Sequence, residues 1–229
     1  MAYKIINIAG GVNVIKENEK VQCYLIEGNE FAMLLDSCAA GGEEFRTAVL
    51  SLTDKPIKLV LTHSDPDHTG GQEYFGTPMM HPAEFARYFS KGNAGKALEP
   101  LWEGQTIGLG GVELEVILLP GHTPGSIALL DRAHRRLFVG DTISDAQTFM
   151  FGDGRDLRAF IESLLKLETL ANLFDTIHSD HGSPTLSLDW IMKTHAAAVK
   201  LLNGELAPKD PPLDFPCKLY SYEGVNFLF

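Results

Sequence analysis

His63-Ser64-Asp65-Pro66-Asp67-His68-Thr69-Gly70-Gly71 follows the β-branched, apolar run Ile57-Lys58-Leu59-Val60-Leu61-Thr62. A predicted strand therefore ends in four closely spaced metal-capable side chains, His63, Asp65, Asp67 and His68. In extended backbone, residues two apart point the same way and neighbours point apart. His63 and Asp65 can thus serve one cation, while Asp67 and His68 reach round to a second. Such a cluster costs charge repulsion and desolvation unless cations offset it.

The same grammar recurs further along. Gly121-His122-Thr123-Pro124-Gly125-Ser126 follows Val116-Ile117-Leu118-Leu119, Gly140-Asp141-Thr142 follows Leu137-Phe138-Val139, and Asp180-His181-Gly182 follows Phe174-Asp175-Thr176-Ile177. Each is a short apolar strand and then a turn with a ligand-capable residue. In layered α/β folds, strand ends deliver functional groups to one edge of the sheets. Taken singly, a loop histidine or an Asp beside Gly or Pro is ordinary turn chemistry; it is the combination that points to metal. His81, His134, His178 and His195 fall outside the pattern and are read as structural, with His178 placed to support a ligand from behind.

The order of these segments resembles the metallo-β-lactamase superfamily, whose pattern is His-x-His-x-Asp-His followed by a lone His, a lone Asp and a final His. The Gly-His-Thr-Pro-Gly-Ser and Gly-Asp-Thr segments look most like its glyoxalase II-type branch, and the likeness runs from about residue 20 to about residue 185. The resemblance implies an αββα sandwich of two mixed sheets with outer helices. Carried over by position, it implies His63, Asp65 and His122 around a first metal, Asp67, His68 and His181 around a second, and Asp141 bridging them. Asp65 is a departure, since most members have His there.

Two divalent ions bridged by Asp141 would lower the pKa of a water held between them and polarise the scissile group. Asp67 would orient that nucleophile or pass a proton to the leaving group. The expected activity is hydrolysis of an ester, thioester, lactone or related bond in a small-molecule substrate. Zinc is the default metal. Asp65, Asp67 and Asp141 with one hydroxide bring about −4, cancelling two divalent ions, and this oxygen-rich set favours harder ions such as Mn or Fe more than an all-imidazole set would. Because Asp is shorter than His, Asp65 is also expected to leave the first position weakly or partly filled. Asp65 keeps two alternatives open. Flavodiiron proteins of the same superfamily carry a carboxylate here and run di-iron oxygen chemistry, and some nucleases show His-x-Asp-x-Asp-His, which suggests phosphodiester chemistry.

Composition agrees with an enzyme of small molecules. The 229 residues are 45% hydrophobic with a formal net charge of −11, enough for a sizeable core and unfavourable for nucleic acid or anionic membrane. Cys23, Cys38 and Cys217 form no C-x-x-C pair, which fits reduced thiols in a cytoplasmic setting. The Met1-Ala2-Tyr3-Lys4 start runs straight into Ile5-Ile6-Asn7-Ile8 without a secretory apolar region.

Strands are expected at Ile5–Ile8, Val12–Ile15, Val21–Glu27 and Phe31–Asp36, and again around Val112–Leu118, Ile127–Leu130 and Leu137–Val139. Helical spacing marks Glu43–Leu52, Pro82–Phe89, Asp156–Ala171 and Leu186–Leu202. Residues 1–206 form the expected domain, and 207–229 a Pro-rich, aromatic extension. That tail needs a surface to cover: the chain's own core, a homodimer contact, or a flap over the site. Phe149-Met150-Phe151 is either pocket lining or core.

Overall fold

Alternation of apolar side chains along the strands builds the interior from two sheets. A computed structural model describes residues 3–212 and 214–229; Met1, Ala2 and Leu213 lie outside the described residues. The first sheet orders its seven strands as in the sequence, from Lys4–Ile8 through Val12–Glu17, Val21–Glu27, Ala32–Leu35, Ile57–Val60 and Met79–Met80 to Glu99–Pro100. It begins as an antiparallel meander and turns parallel where Ala32–Leu35 meets Ile57–Val60 across the helix Gly42–Leu50. The second sheet places Thr176–His178 beside Arg136–Phe138, then Ile127–Asp131, Glu113–Leu118 and Thr106–Gly108.

Period-two packing explains the layers. Val14, Tyr24, Ile26, Met33 and Leu35 face Val116, Leu129 and Phe138 between the sheets. Their neighbours Ile15, Cys23, Leu25 and Leu34 turn outward to Phe45 and Val49 of the helix Gly42–Leu50. On the far side, Ile117, Ala128 and Leu130 pack under Phe160, Leu164 and Leu167 of Leu157–Leu170 and under Ile191 and Ala198 of Asp189–Leu202. Asp156 caps the first of these helices, its side chain accepting from the backbone N–H of Arg158 and Ala159. The result is the αββα sandwich.

Two segments differ from the sequence expectation. Pro82–Phe89 is not one helix. A 3₁₀ turn at Pro82–Glu84 passes into a single α-turn at Phe85–Tyr88 and then a wide π-type turn, Phe89–Asn93, where Gly92 has φ +86°. The tail forms a hairpin, Leu219–Tyr222 with Val225–Leu228, whose second strand pairs in parallel with Gln147–Phe149. Phe227 and Val225 are buried in the core beneath Asp189–Leu202, and Phe215 sets its ring 5.4 Å from that of Phe149.

Candidate metal centre

The strand Ile57–Val60 ends below His63, and the backbone then turns sharply. Asp65 is the residue before the one-turn helix Pro66–Thr69, with Pro66 at its first position. An Asp at that position ordinarily accepts from a backbone N–H of the helix. Asp65 makes no such bond, so its carboxylate is free to turn inward. The helical turn then carries Asp67 and His68 round to the second position. Gly121, with φ +136° and its Cα hard against the backbone of Phe160, admits no side chain and leads His122 into the same space.

The structure brings together all the sequence-expected ligands. His63 Nε2 and His122 Nε2 approach to 3.2 Å, and Asp65 Oδ2 lies 3.5 Å and 3.4 Å from them. In the second group, His181 Nε2 lies 3.4 Å from Asp67 Oδ2 and 3.3 Å from Asp141 Oδ1, and His68 Nε2 lies 3.4 Å from Asp141 Oδ1. An ion bonded at roughly 2.0–2.1 Å to tetrahedral donors separates those donors by about 3.3–3.4 Å. Asp141 stands between the groups, its Oδ2 3.4 Å from His122 Nε2.

The tautomers agree with cation binding. Each of the four histidines anchors Nδ1 on an acceptor: His68 on Asp36 Oδ2 at 2.9 Å, His122 on the Phe149 carbonyl at 3.0 Å, His181 on the Lys20 carbonyl at 2.7 Å, and His63 on Thr62 Oγ1 at 2.9 Å. Thr62 Oγ1 can accept because its proton is donated to Asp36 Oδ2 at 2.6 Å. All four rings therefore present Nε2, the nitrogen left for a cation once Nδ1 is anchored, to the centre. His68 Nε2 and Asp141 Oδ1 are buried and without a hydrogen-bond partner among the described residues, a costly state that a cation would relieve. The donor set fits divalent metals.

Electrostatics separate the groups. Burial opposes charge on His68 and His181, yet Asp141 above all raises both well above the usual imidazole value. Burial would raise the Asp67 carboxyl, but His68 and His181 bring it down to about 2. His122 goes the other way, lowered to about 4 chiefly by burial. Asp65, despite burial, is held well below the carboxylate range by hydrogen bonds from His122 and His63 and by the charge of His63 and Arg155.

Several site residues escaped the sequence reading. Asp36 supports both His68 and, through Thr62, His63; it ends a strand as the ligands do and is held at φ +62°, a left-handed conformation typical of functional turns. Asp180 lies 3.2 Å from His68 Nδ1, and burial, then Asp36, raises its carboxyl well above the usual value. Arg155 Nη2 donates to Asp65 Oδ2 at 2.5 Å, while Arg87 Nη1 and Lys91 Nζ reach Asp65 Oδ1 at 2.6 Å and 2.7 Å. These cations were absent from the sequence-based charge balance, which they shift to positive around Asp65. Glu84, buried, accepts from Ser64 and from the Gly125 N–H and keeps the two ligand loops together. His178 binds the Pro184 carbonyl and stacks on Phe138, His134 pairs with Asp131, His195 with Glu168, and His81 accepts from the Ala83 N–H.

Two cavities meet at the centre. One, of about 530 Å³, is lined by Asp65, Arg87, Lys91, Arg155, Phe149 and Phe151. The other, of about 550 Å³, is bounded by Val21, Ala39, Ala146, Phe149 and His181. Asp67 and Phe149 border both. Phe149 and Phe151 thus line the site, whereas Met150 between them is core.

The chain is 32% identical over 165 residues to a hydroxyacylglutathione hydrolase of Pectobacterium carotovorum subsp. carotovorum, covering 70% of this chain and 57% of that protein. It is 32% identical over 119 residues to an acyl-coenzyme A thioesterase of Gallus gallus, covering 40% of this chain and 43% of that protein. The chain spans about half the length of these curated relatives. A metallo-β-lactamase from Pontibacter korlensis superposes with a TM-score of 0.73 at 19% identity, covering 86% of this chain and 99% of that one, a likeness of fold alone. The profile of the metallo-β-lactamase superfamily matches residues 18–197, and on that match this chain belongs to the superfamily.

Proposed function

We propose that this protein is a metal-dependent hydrolase of small acyl thioesters or related esters. Its reaction centre would consist of His63, Asp65 and His122, of Asp67, His68 and His181, and of Asp141 between them. The observation that carries the reading is the convergence of the Nε2 atoms of His68, His122 and His181 on one carboxylate, Asp141, with His63 Nε2 beside His122 and every Nδ1 anchored. Similarity to proteins named for thioester hydrolysis supports the bond type. When bound, two divalent ions, with zinc as the metal we favour, supply a water of lowered pKa and Lewis acidity toward an acyl carbonyl.

The chain's own residues do the rest. Asp67 is ionised and faces both cavities, so its carboxylate accepts the proton lost by the attacking water and returns it to the leaving thiolate or alkoxide. Phe149 and Phe151 exclude water from one wall. The three free cysteines fit a cytoplasmic protein, and among the described residues no helix is long and apolar enough to cross a membrane.

The test is metal analysis of native protein combined with a panel of thioesters, lactones, β-lactams and phosphodiesters. Near two equivalents of metal and chelator-sensitive thioester turnover are expected. Dioxygen-dependent visible absorption in iron-loaded protein that leaves every ester intact would overturn the hydrolase reading.

A further inference from the structure

The two halves of the centre are not equivalent in what already holds their donors. In the half formed by Asp67, His68, His181 and Asp141, two buried atoms, His68 Nε2 and Asp141 Oδ1, have no hydrogen-bond partner among the described residues. In the other half, the carboxylate that completes the triad is already engaged on both oxygens. Asp65 Oδ2, 3.5 Å from His63 Nε2 and 3.4 Å from His122 Nε2, accepts from Arg155 Nη2, and Asp65 Oδ1 is shared by Arg87 Nη1 and Lys91 Nζ. Three protein cations thus face one carboxylate.

The grip is built into the fold. The Arg155 side chain is 8% exposed and its Nη1 also donates to the His122 carbonyl, so it is fixed to two of the three members of the first triad. Arg87 is fixed from behind by Ser64 Oγ at 3.0 Å and lies 4.0 Å from Glu84. Lys91, the most exposed of the three cations at 29%, is delivered by the wide turn at Phe89–Asn93. A divalent ion entering between His63, Asp65 and His122 meets three like charges gathered on Asp65 and a carboxylate already neutralised. An ion entering the other half meets carboxylates, Asp67 and Asp141, that no Arg or Lys engages among the described residues.

We propose that the centre fills in a fixed order: the half formed by Asp67, His68, His181 and Asp141 takes its cation first. Arg155, Arg87 and Lys91, acting through Asp65, keep the half formed by His63, Asp65 and His122 at much lower affinity. This rests on the metal centre proposed above. The three cations are positioning residues for Asp65, and they set how much free metal is needed to complete the site.

Titration of chelator-stripped full-length protein with zinc against a chromophoric chelator tests the order without relying on turnover. Two steps are expected, separated by about 100-fold or more in Kd. His181→Gln removes the tight step and His122→Gln leaves it in place. Lys91→Gln, at the exposed member of the cluster, tightens the weak step by about ten-fold and leaves the tight one unmoved. Lys91→Arg restores the original value. Arg155→Gln moves the weak step in the same direction, with a melting curve of the stripped variant to establish that it folds. Two equal steps, a tight step lost in His122→Gln, or a weak step that Lys91→Gln loosens would each overturn the inference while leaving the metal centre standing. Absence of any zinc binding would overturn the centre itself and this inference with it.

Discussion

The Asp36 carboxylate accepts the Nδ1 proton of His68 at 2.9 Å while its other contacts take the Thr62 N–H at 2.7 Å and hydroxyl at 2.6 Å. It thereby fixes His68 directly and His63 at one remove. Asp36→Asn keeps the shape but loses the charge that favours the Nδ1–H tautomer. Zinc affinity measured by chelator competition should fall by roughly 10–100-fold. An unchanged affinity would mean that ring orientation is set elsewhere.

Asp141 is the only carboxylate placed within reach of both triads among the described residues. Asp141→Asn removes charge from both at once. We expect less than one equivalent of retained metal, and thioester turnover lowered by more than the roughly 100-fold upper range of an outer-sphere substitution. Elemental analysis of the purified variant beside wild type decides it; two retained equivalents would refute the bridging role.

Asp65→Asn leaves Arg87, Lys91 and Arg155 facing one another without their anion. Removing one partner of a buried ion cluster costs about 3 kcal/mol or more. Urea unfolding of the metal-stripped variant should show that loss, and added salt should recover part of it by screening the exposed Lys91. A variant as stable as wild type at low salt would show that the cluster holds no repulsion.

His178 is buried against Phe138, and burial lowers its pKa from 6.5 to about 4. The unfolded chain therefore binds the extra proton across that interval, and this group's stability contribution, present above pH 6.5, is lost as pH falls toward about 4. His178→Gln should remove up to about 3 kcal/mol of that acid sensitivity. Urea unfolding of both proteins at neutral and acid pH isolates the term, because the site histidines are common to both. Equal acid sensitivity would contradict it.

The candidate ligands were legible because they follow strands, directly or through one helical turn, and strand ends announce themselves through apolar runs followed by polar turns. Asp36 obeys the same rule after Leu34-Leu35 and was missed because it precedes the His63–His68 cluster, outside the order of ligand-bearing turns that singled out His122, Asp141 and His181. Arg155 and Arg87 could not be found this way. They lie 90 and 22 residues from Asp65 in sequence, in segments whose charge is indistinguishable from solvated surface. Their inward position follows from tertiary contacts: Arg87, on the turn Phe85–Tyr88, is held by Ser64, and Arg155 by the His122 carbonyl. The aromatic tail was legible as a covering element, but the strand Gln147–Phe149 that receives it carries no alternating pattern long enough to mark it in advance.

His63 and Asp65 come from the first sheet's loops and His122 from the second's, and Asp67 and His68 of the first likewise meet His181 of the second. Neither half of the sandwich contains a complete set. A cation held there clasps the two halves across their seam, and folding stability rises with free metal, by about 2.7 kcal/mol at a hundred times Kd. With that centre metal-bound as proposed, the protein's lifetime would track metal supply: under scarcity the seam would open more often, and the chain would be lost to proteolysis sooner than its packed core alone would dictate.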